Sequence, residues 1–158
     1  MSNTTNNKNL GNIRKGRIED LETIVKFNYN LAKETEEKEL NFDTLTKGVK
    51  TVLDDPSKAQ YYVYEVNNKV VGQIMYTYEW SDWRNGMFLW VQSVYVDLEY
   101  RRQGIYKSLY NTIKNICDND DEITGIRLYV EKENKNAKAT YKSLGMSDCN
   151  YNIYEYEK

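Results

Sequence analysis

The sequence predicts an α+β fold, with helices packed on one mixed sheet. Three observations predict it. Hydrophobic spacing is helical in the first third, switches to long β-rich runs in the middle, and alternates between the two afterwards. Two short polar turns join the middle runs, which implies antiparallel hairpins. A strand, a helix and another strand then follow in order from Met87, which implies a crossover connection and a parallel pair.

Asn12 to Lys15 reads as a short first strand. Leu21, Ile24, Val25, Leu31 and Ala32 recur at helical spacing, so residues 18 to 33 read as an amphipathic helix. The acidic run Glu34-Thr35-Glu36-Glu37-Lys38-Glu39 breaks it. Asn41 or Asp43 caps a second helix whose apolar face is Leu45, Val49, Val52 and Leu53. Asp54-Asp55-Pro56-Ser57 ends that helix, with the chain's one proline. Gln60 to Val66 and Val70 to Trp80 are β-rich, and Asn67-Asn68 between them tolerates the positive φ of a tight hairpin turn. Ser81 to Gly86 is a second turn, and Met87 to Val96 a further strand. Ile105, Leu109, Ile113 and Ile116 restore the helical period over 103 to 117. Ile123 to Val130 is a strand. Asn134 to Leu144 is a short helix striped by Ala137, Tyr141 and Leu144, with Gly145 at its C-cap. Asn150 to Tyr156 reads as a last strand. Residues 1 to 11 are expected to be loosely attached, and 12 to 158 to form a single domain without repeats or a linker.

Composition removes several chemistries. The chain has 158 residues and no histidine, which excludes Ser-His-Asp and Cys-His pairs, histidine bases and histidine-ligated metals. No metal site is expected. Cys117 and Cys149 are far apart and suit free structural thiols in a reducing cytoplasm. A net charge of −2 gives no basic face for nucleic acid. No apolar run is long enough for a membrane-spanning helix, and the polar, Asn-rich Met1 to Asn9 lacks a signal-peptide core. With 15 tyrosines, a phenol is the obvious proton donor.

The most informative stretch is Val94-Tyr95-Val96-Asp97-Leu98-Glu99-Tyr100-Arg101-Arg102-Gln103-Gly104-Ile105-Tyr106-Lys107. A strand ends, a loop carries two arginines and a glycine, and a helix starts at once. Unpaired N–H groups and the macrodipole at a helix N-terminus favour an anion. Gly104 permits close backbone approach, and Arg101 and Arg102 offer bidentate donors for phosphate oxygens. The same pattern also describes an ordinary solvated helix start.

Arg101-Arg102-Gln103-Gly104-Ile105-Tyr106 resembles the (Gln/Arg)-x-x-Gly-x-(Gly/Ala) diphosphate-binding motif of the GNAT superfamily, the acyl-CoA-dependent N-acetyltransferases. Tyr106 stands where that family usually has Gly or Ala, so its side chain must turn away from the diphosphate or the helix must shift. Asn134, Ala137, Tyr141, Gly145 and Met146 resemble the family's Asn-x-x-Ala-x-x-x-Tyr-x-x-x-Gly-Phe segment, with Met146 in place of Phe. The resemblance covers about residues 12 to 156. It implies a central mixed sheet of about six to seven strands flanked by about four helices.

The resemblance also implies roles. Acetyl-CoA would be the cosubstrate, its pantetheine arm on the backbone of Val94, Tyr95 and Val96. Its diphosphate would lie on Arg101, Arg102, Gln103, Gly104, Ile105, Tyr106 and Lys107, with Asn134 and Tyr141 also contacting it. A backbone N–H near Tyr95 or Val96 would stabilise the oxyanion. Tyr141 is the general-acid candidate, because a phenol stays protonated near neutral pH and can donate to a thiolate; read alone, it is a core tyrosine of the apolar stripe. Glu79 is the general-base candidate, with Trp80 expected to desolvate it and raise its pKa. A lysine-like amine is only about one part in a thousand neutral near pH 7.4, so such a base or a water relay helps.

The acceptor is expected to be a small-molecule or lysine-like cationic amine. Glu34, Glu36 and Asp82 would supply negative charge, and Trp80 and Trp83 aromatic walls. The two tryptophans equally suit a hairpin tip folded onto its own sheet or buried in a homodimer. Two other functions fit the same fold: a noncatalytic acyl-CoA-binding module, and a tRNA- or ribosome-directed acetyltransferase, which the acidic segments disfavour.

Overall fold

The computed structural model describes residues 11–158. The expectation for the N-terminus therefore lies almost wholly outside the described residues. The chain forms two compact units, one ending at Leu128 and one spanning Tyr129–Lys158.

The first unit contains strands β1 (Asn12–Lys15), β2 (Ala59–Val66), β3 (Lys69–Ser81), β4 (Gly86–Val96) and β5 (Ile123–Leu128). They lie in chain order across one sheet, antiparallel except for the parallel β4–β5 pair. Helices α1 (Leu21–Glu36) and α2 (Phe42–Asp54) precede β2, and α3 (Ile105–Asp118) makes the β4–β5 crossover. The Asn67-Asn68 turn has φ values of 49° and 63°. This is the left-handed pair that a tight hairpin with right-handed strand twist requires. Asn41, not Asp43, caps α2: its Oδ1 accepts from Thr44 N at 2.9 Å. Asp43 instead pairs with Lys47 one turn on.

Strand alternation divides the core into two layers. On one face Val71, Ile74, Tyr76, Leu89 and Val91 pack with Ile105, Leu109 and Ile113 of α3. On the other, Val63, Tyr61, Ala59 and Met75 pack with Ile24 and Val25 of α1 and Val49 of α2. Gly72 permits the first contact to be close, since a Cβ there would stand 3.1 Å from Ile105 Cγ2. The start of α3 is thereby pressed against β3, which fixes the loop before it.

Helix α1 extends through Glu34, Thr35 and Glu36, into the expected acidic break. Thr35 Oγ1 donates to the Leu31 carbonyl at 2.8 Å, and the helix stops only at Glu37, with φ 52°. This places Glu34 on a helical turn instead of a loose connection.

The second unit contains α4 (Lys135–Ser143). Asn134 Oδ1 caps it by accepting from Ala137 N at 3.0 Å, and Gly145 leaves it at φ +91°. The predicted strand over Asn150 to Tyr156 does not form, and β5 ends at Leu128 instead of Val130. Five strands are therefore present among the described residues, fewer than expected. Alternating side chains make a segment able to enter a ladder, but only a partner strand makes it one. No helix among the described residues is long and apolar enough to cross a membrane.

Candidate active site

The site is built where β4 stops pairing evenly. Gln73 lies opposite Tyr95 and Met75 opposite Gln92, so β4 carries one extra residue there. Ser93 takes up the irregularity at φ 52°. A buried polar group fixes it: Gln73 Nε2 donates to the Ser93 carbonyl and to Asn28 Oδ1, both at 3.0 Å, and Asn28 Nδ2 donates to the Tyr61 hydroxyl at 2.9 Å. Helix α1 is thus bonded to the bulge through two amides. The β4–β5 ladder runs only to Val91 opposite Leu128, so Gln92–Val96 continues beyond the end of β5. Such a strand end can hydrogen-bond an extended amide-bearing arm as a further strand would.

The loop after β4 is held at its base by Asp97 N, which donates to the Val71 carbonyl at 2.8 Å. Arg102 and Gly104 adopt φ values of 62° and 79°, and Ile105 begins α3. Beyond its two chain neighbours, no heavy atom of the described residues lies within 4 Å of where a Cβ on Gly104 would stand. The glycine therefore leaves open space at the N-terminus of a 14-residue helix, where unpaired N–H groups face outward. Tyr106 packs against the α3-side core, so its bulk lies off the loop as the motif requires. Arg102, Gln103 and Gly104 are exposed, as is Lys107 one turn into α3.

Arg101, expected to donate to a diphosphate, is bonded within the protein at two of its nitrogens. Its Nε donates to the Val96 carbonyl at 2.8 Å, and its NH2 donates to Glu34 Oε2 at 2.8 Å. Its guanidinium lies 5.2 Å from the Tyr95 ring centroid. The Tyr95 hydroxyl donates to the other Glu34 oxygen at 3.2 Å. Burial first, and then the Glu34 carboxylate, push the Tyr95 phenol above its ordinary range, so it remains a donor. Phe27 of α1 flanks the same ring at 4.9 Å. Glu34 is therefore joined to the loop between β4 and α3, whereas Glu36 pairs with Lys38 nearby.

Glu79 lies farther along β3 on the α1/α2 face. One oxygen accepts from Arg127 NH1 and the other from Trp90 Nε1 at 2.9 Å. Arg127 stacks on Phe88 at 3.8 Å. The expected desolvation by Trp80 is absent, because adjacent strand residues face opposite sides of the sheet. Trp80 lies on the α3 side and is 57% exposed. Trp90, Thr77 and Gln92 share the Glu79 face, and Gln92 Nε2 donates to Thr77 Oγ1 at 2.9 Å. Sequence reasoning misses these residues. Counting alternation back from Glu79 across the hairpin, whose last pair is Ser81 and Gly86, finds them.

The acidic and aromatic groups predicted to share one acceptor pocket are separated. Glu34 meets the sheet at its Val96 end. Asp82 and the exposed Trp83 lie past the Ser81–Gly86 end of the same ladder. At the usual rise per strand residue, the two ends are roughly 30 Å apart. In the second unit, Tyr141 sits on α4 and its carbonyl accepts from Met146 N at 3.0 Å, which closes the helix end. Both cysteines are free thiols, and burial pushes the Cys117 thiol up, as befits a packing residue.

A model of the acetyltransferase (GNAT) family matches residues 18–146, and the chain belongs to that family. The crystal structure of a possible acetyltransferase from Clostridium difficile 630 is 69% identical. It matches over 94% of this chain and 98% of that one, with a TM-score of 0.90. The structure of a predicted acetyltransferase with acetyl-CoA from Clostridium acetobutylicum shares the fold at 19% identity and a TM-score of 0.75, over 93% of this chain and 96% of that one. The thialysine N-epsilon-acetyltransferase of Bos taurus is 34% identical over 79 residues, which are 50% of this chain and 45% of that protein. The chain thus matches less than half the length of that curated relative.

Proposed function

We propose that the protein transfers an acetyl group from acetyl-CoA to a primary amine by direct attack within a ternary complex. The observation that carries this reading is the sequence of backbone states from Gln92 to Ile105. A strand passes the end of its neighbour, a left-handed Gly104 opens space, and a helix N-terminus follows. Those groups suit a pantetheine arm and a diphosphate in succession. Arg102, Gln103, Gly104, Ile105 and Lys107 hold the diphosphate, with the outer nitrogens of Arg101 within its reach, and Asn134 takes the contact that the family motif gives it.

In the reaction the amine nitrogen bonds to the thioester carbonyl carbon and the carbon–sulfur bond breaks. A backbone N–H near Tyr95 or Val96 stabilises the oxyanion. Tyr141 gives its proton to the departing thiolate. The amine's proton leaves through a relay of waters. Glu79 carries one donor on each oxygen and lies seven strand residues from the Val96 end, roughly 23 Å at the usual rise, so it can receive that proton only at the far end of the relay. The acceptor is a small lysine-like amine, in keeping with the name of the 34% identical relative. The two free cysteines fit a reducing cytoplasm.

The test is calorimetric titration with acetyl-CoA, followed by thiol detection of CoA release with thialysine as acceptor. Micromolar binding and amine-dependent release are expected. Tyr141→Phe should keep binding and lose at least about tenfold in turnover, in line with general acid catalysis. Binding without turnover for any amine would instead favour the noncatalytic acyl-CoA-binding module. Absence of binding would overturn both.

A further inference from the structure

We propose that Glu34 and Arg101 form an exchangeable ion pair that couples the cosubstrate loop to the amine acceptor. This rests on the acetyl-transfer reading above. Glu34 belongs to the last turn of α1, and Arg101 opens the loop that leads to Gly104 and α3. The pair is direct, at 2.8 Å, and only half-shielded, with side-chain exposures of 39% for Arg101 and 35% for Glu34. Solvent and solutes can therefore reach both partners.

The arrangement makes Glu34 an internal competitor for Arg101. A single exposed carboxylate is a weak partner. A diphosphate at a helix N-terminus carries more charge and accepts bidentate donors, so it draws the guanidinium away. Arg101 Nε stays anchored to the Val96 carbonyl, so the exchange involves the outer nitrogens alone. Glu34 then keeps the Tyr95 hydroxyl on one oxygen and has lost its cation from the other. It becomes a site for an ammonium group. Linkage makes the effect reciprocal: an amine that occupies Glu34 strengthens the binding of CoA by the factor by which CoA strengthens its own. Two substrates of opposite charge thus each release the group that the other needs.

A double-mutant cycle on CoA binding by titration calorimetry tests this. Glu34→Gln keeps the side-chain shape and removes the charge. It should bind CoA about three- to tenfold more tightly than wild type at low salt, with the gain lost in an Arg101→Gln background. Glu34→Asp, one methylene too short to span the pair, should show part of the same gain. Added thialysine should tighten CoA binding at least about twofold in wild type and not in Glu34→Gln. Unchanged or weaker CoA binding by Glu34→Gln would mean that the pair is a fixed brace and overturn the proposal, as would equal thialysine coupling in both proteins or none in wild type. Wild-type protein that binds no CoA would instead defeat the acetyl-transfer reading itself.

Discussion

The two ends of the β3–β4 ladder are made of the same strands and do opposite things. At the Ser81–Gly86 end pairing is regular, a tight turn closes it, and Glu79, Arg127 and Trp90 are bonded to one another. At the Gly72–Val96 end an extra residue enters β4, β5 has already stopped, and Ser93, Arg102 and Gly104 hold positive φ. The closed end is rich in aromatic and charged side chains yet satisfies itself. The irregular end ties Tyr95 and Arg101 to Glu34, lets β4 run on past β5 and leaves Arg101, Arg102, Gln103 and Gly104 exposed before α3. Reactive-looking composition and irregular backbone are thus located at different places on one hairpin.

The largest effect should come from releasing the irregular end from its support. Leu109 is fully buried where α3 meets β3. Leu109→Ala should cost about 2–5 kcal/mol, read as a lower urea midpoint, with CoA affinity falling as α3 loosens. Gly104 holds a left-handed conformation with open space beside it. Gly104→Val should cost about 1–2 kcal/mol through that conformation. It should also abolish CoA binding by calorimetry, because its side chain fills the open space. Gln73→Met should cost about 1 kcal/mol in the same denaturation assay. It leaves the Ser93 carbonyl and Asn28 Oδ1 without their donor, and is partly offset by removing Gln73 Oε1, a buried atom that accepts no hydrogen bond. At the closed end, the Trp83 ring is exposed. Trp83→Ala should therefore change stability by less than about 0.5 kcal/mol. A loss of CoA affinity in Trp83→Ala comparable with that of Gly104→Val would erase the distinction between the ends.

The irregular end is also the more legible one in the sequence. Gly104 and the helix start after it follow from local rules, and so do the Asn67-Asn68 turn and the Gly145 stop. Each is a constraint of one residue on its own backbone. Local rules do not reveal the partner that Arg101 takes here, because its direction depends on Glu34, sixty-seven positions away in the chain. They set Trp80 beside Glu79 and miss Trp90 for a related reason, since the face a strand residue occupies across a hairpin depends on register. The strand expected over Asn150 to Tyr156 fails similarly, as a ladder needs a partner that no local pattern supplies. Backbone requirements can be read locally; partners at long range cannot.

The crossover through α3 has a consequence for the order in which the fold assembles. Strands β2, β3 and β4 follow one another through short turns, so their pairing closes only small loops. Strand β5 must wait until the loop after Val96 and the whole of α3 have been laid over the sheet. Non-local parallel pairing of this kind is a late and slow event. The last β4–β5 pair, Val91 with Leu128, is also the point past which the edge of β4 runs on without β5. Amides of β5 should accordingly exchange with solvent in step with those of α3 and sooner than those at the centre of β3, so that the edge takes its final form only in the last stage of folding.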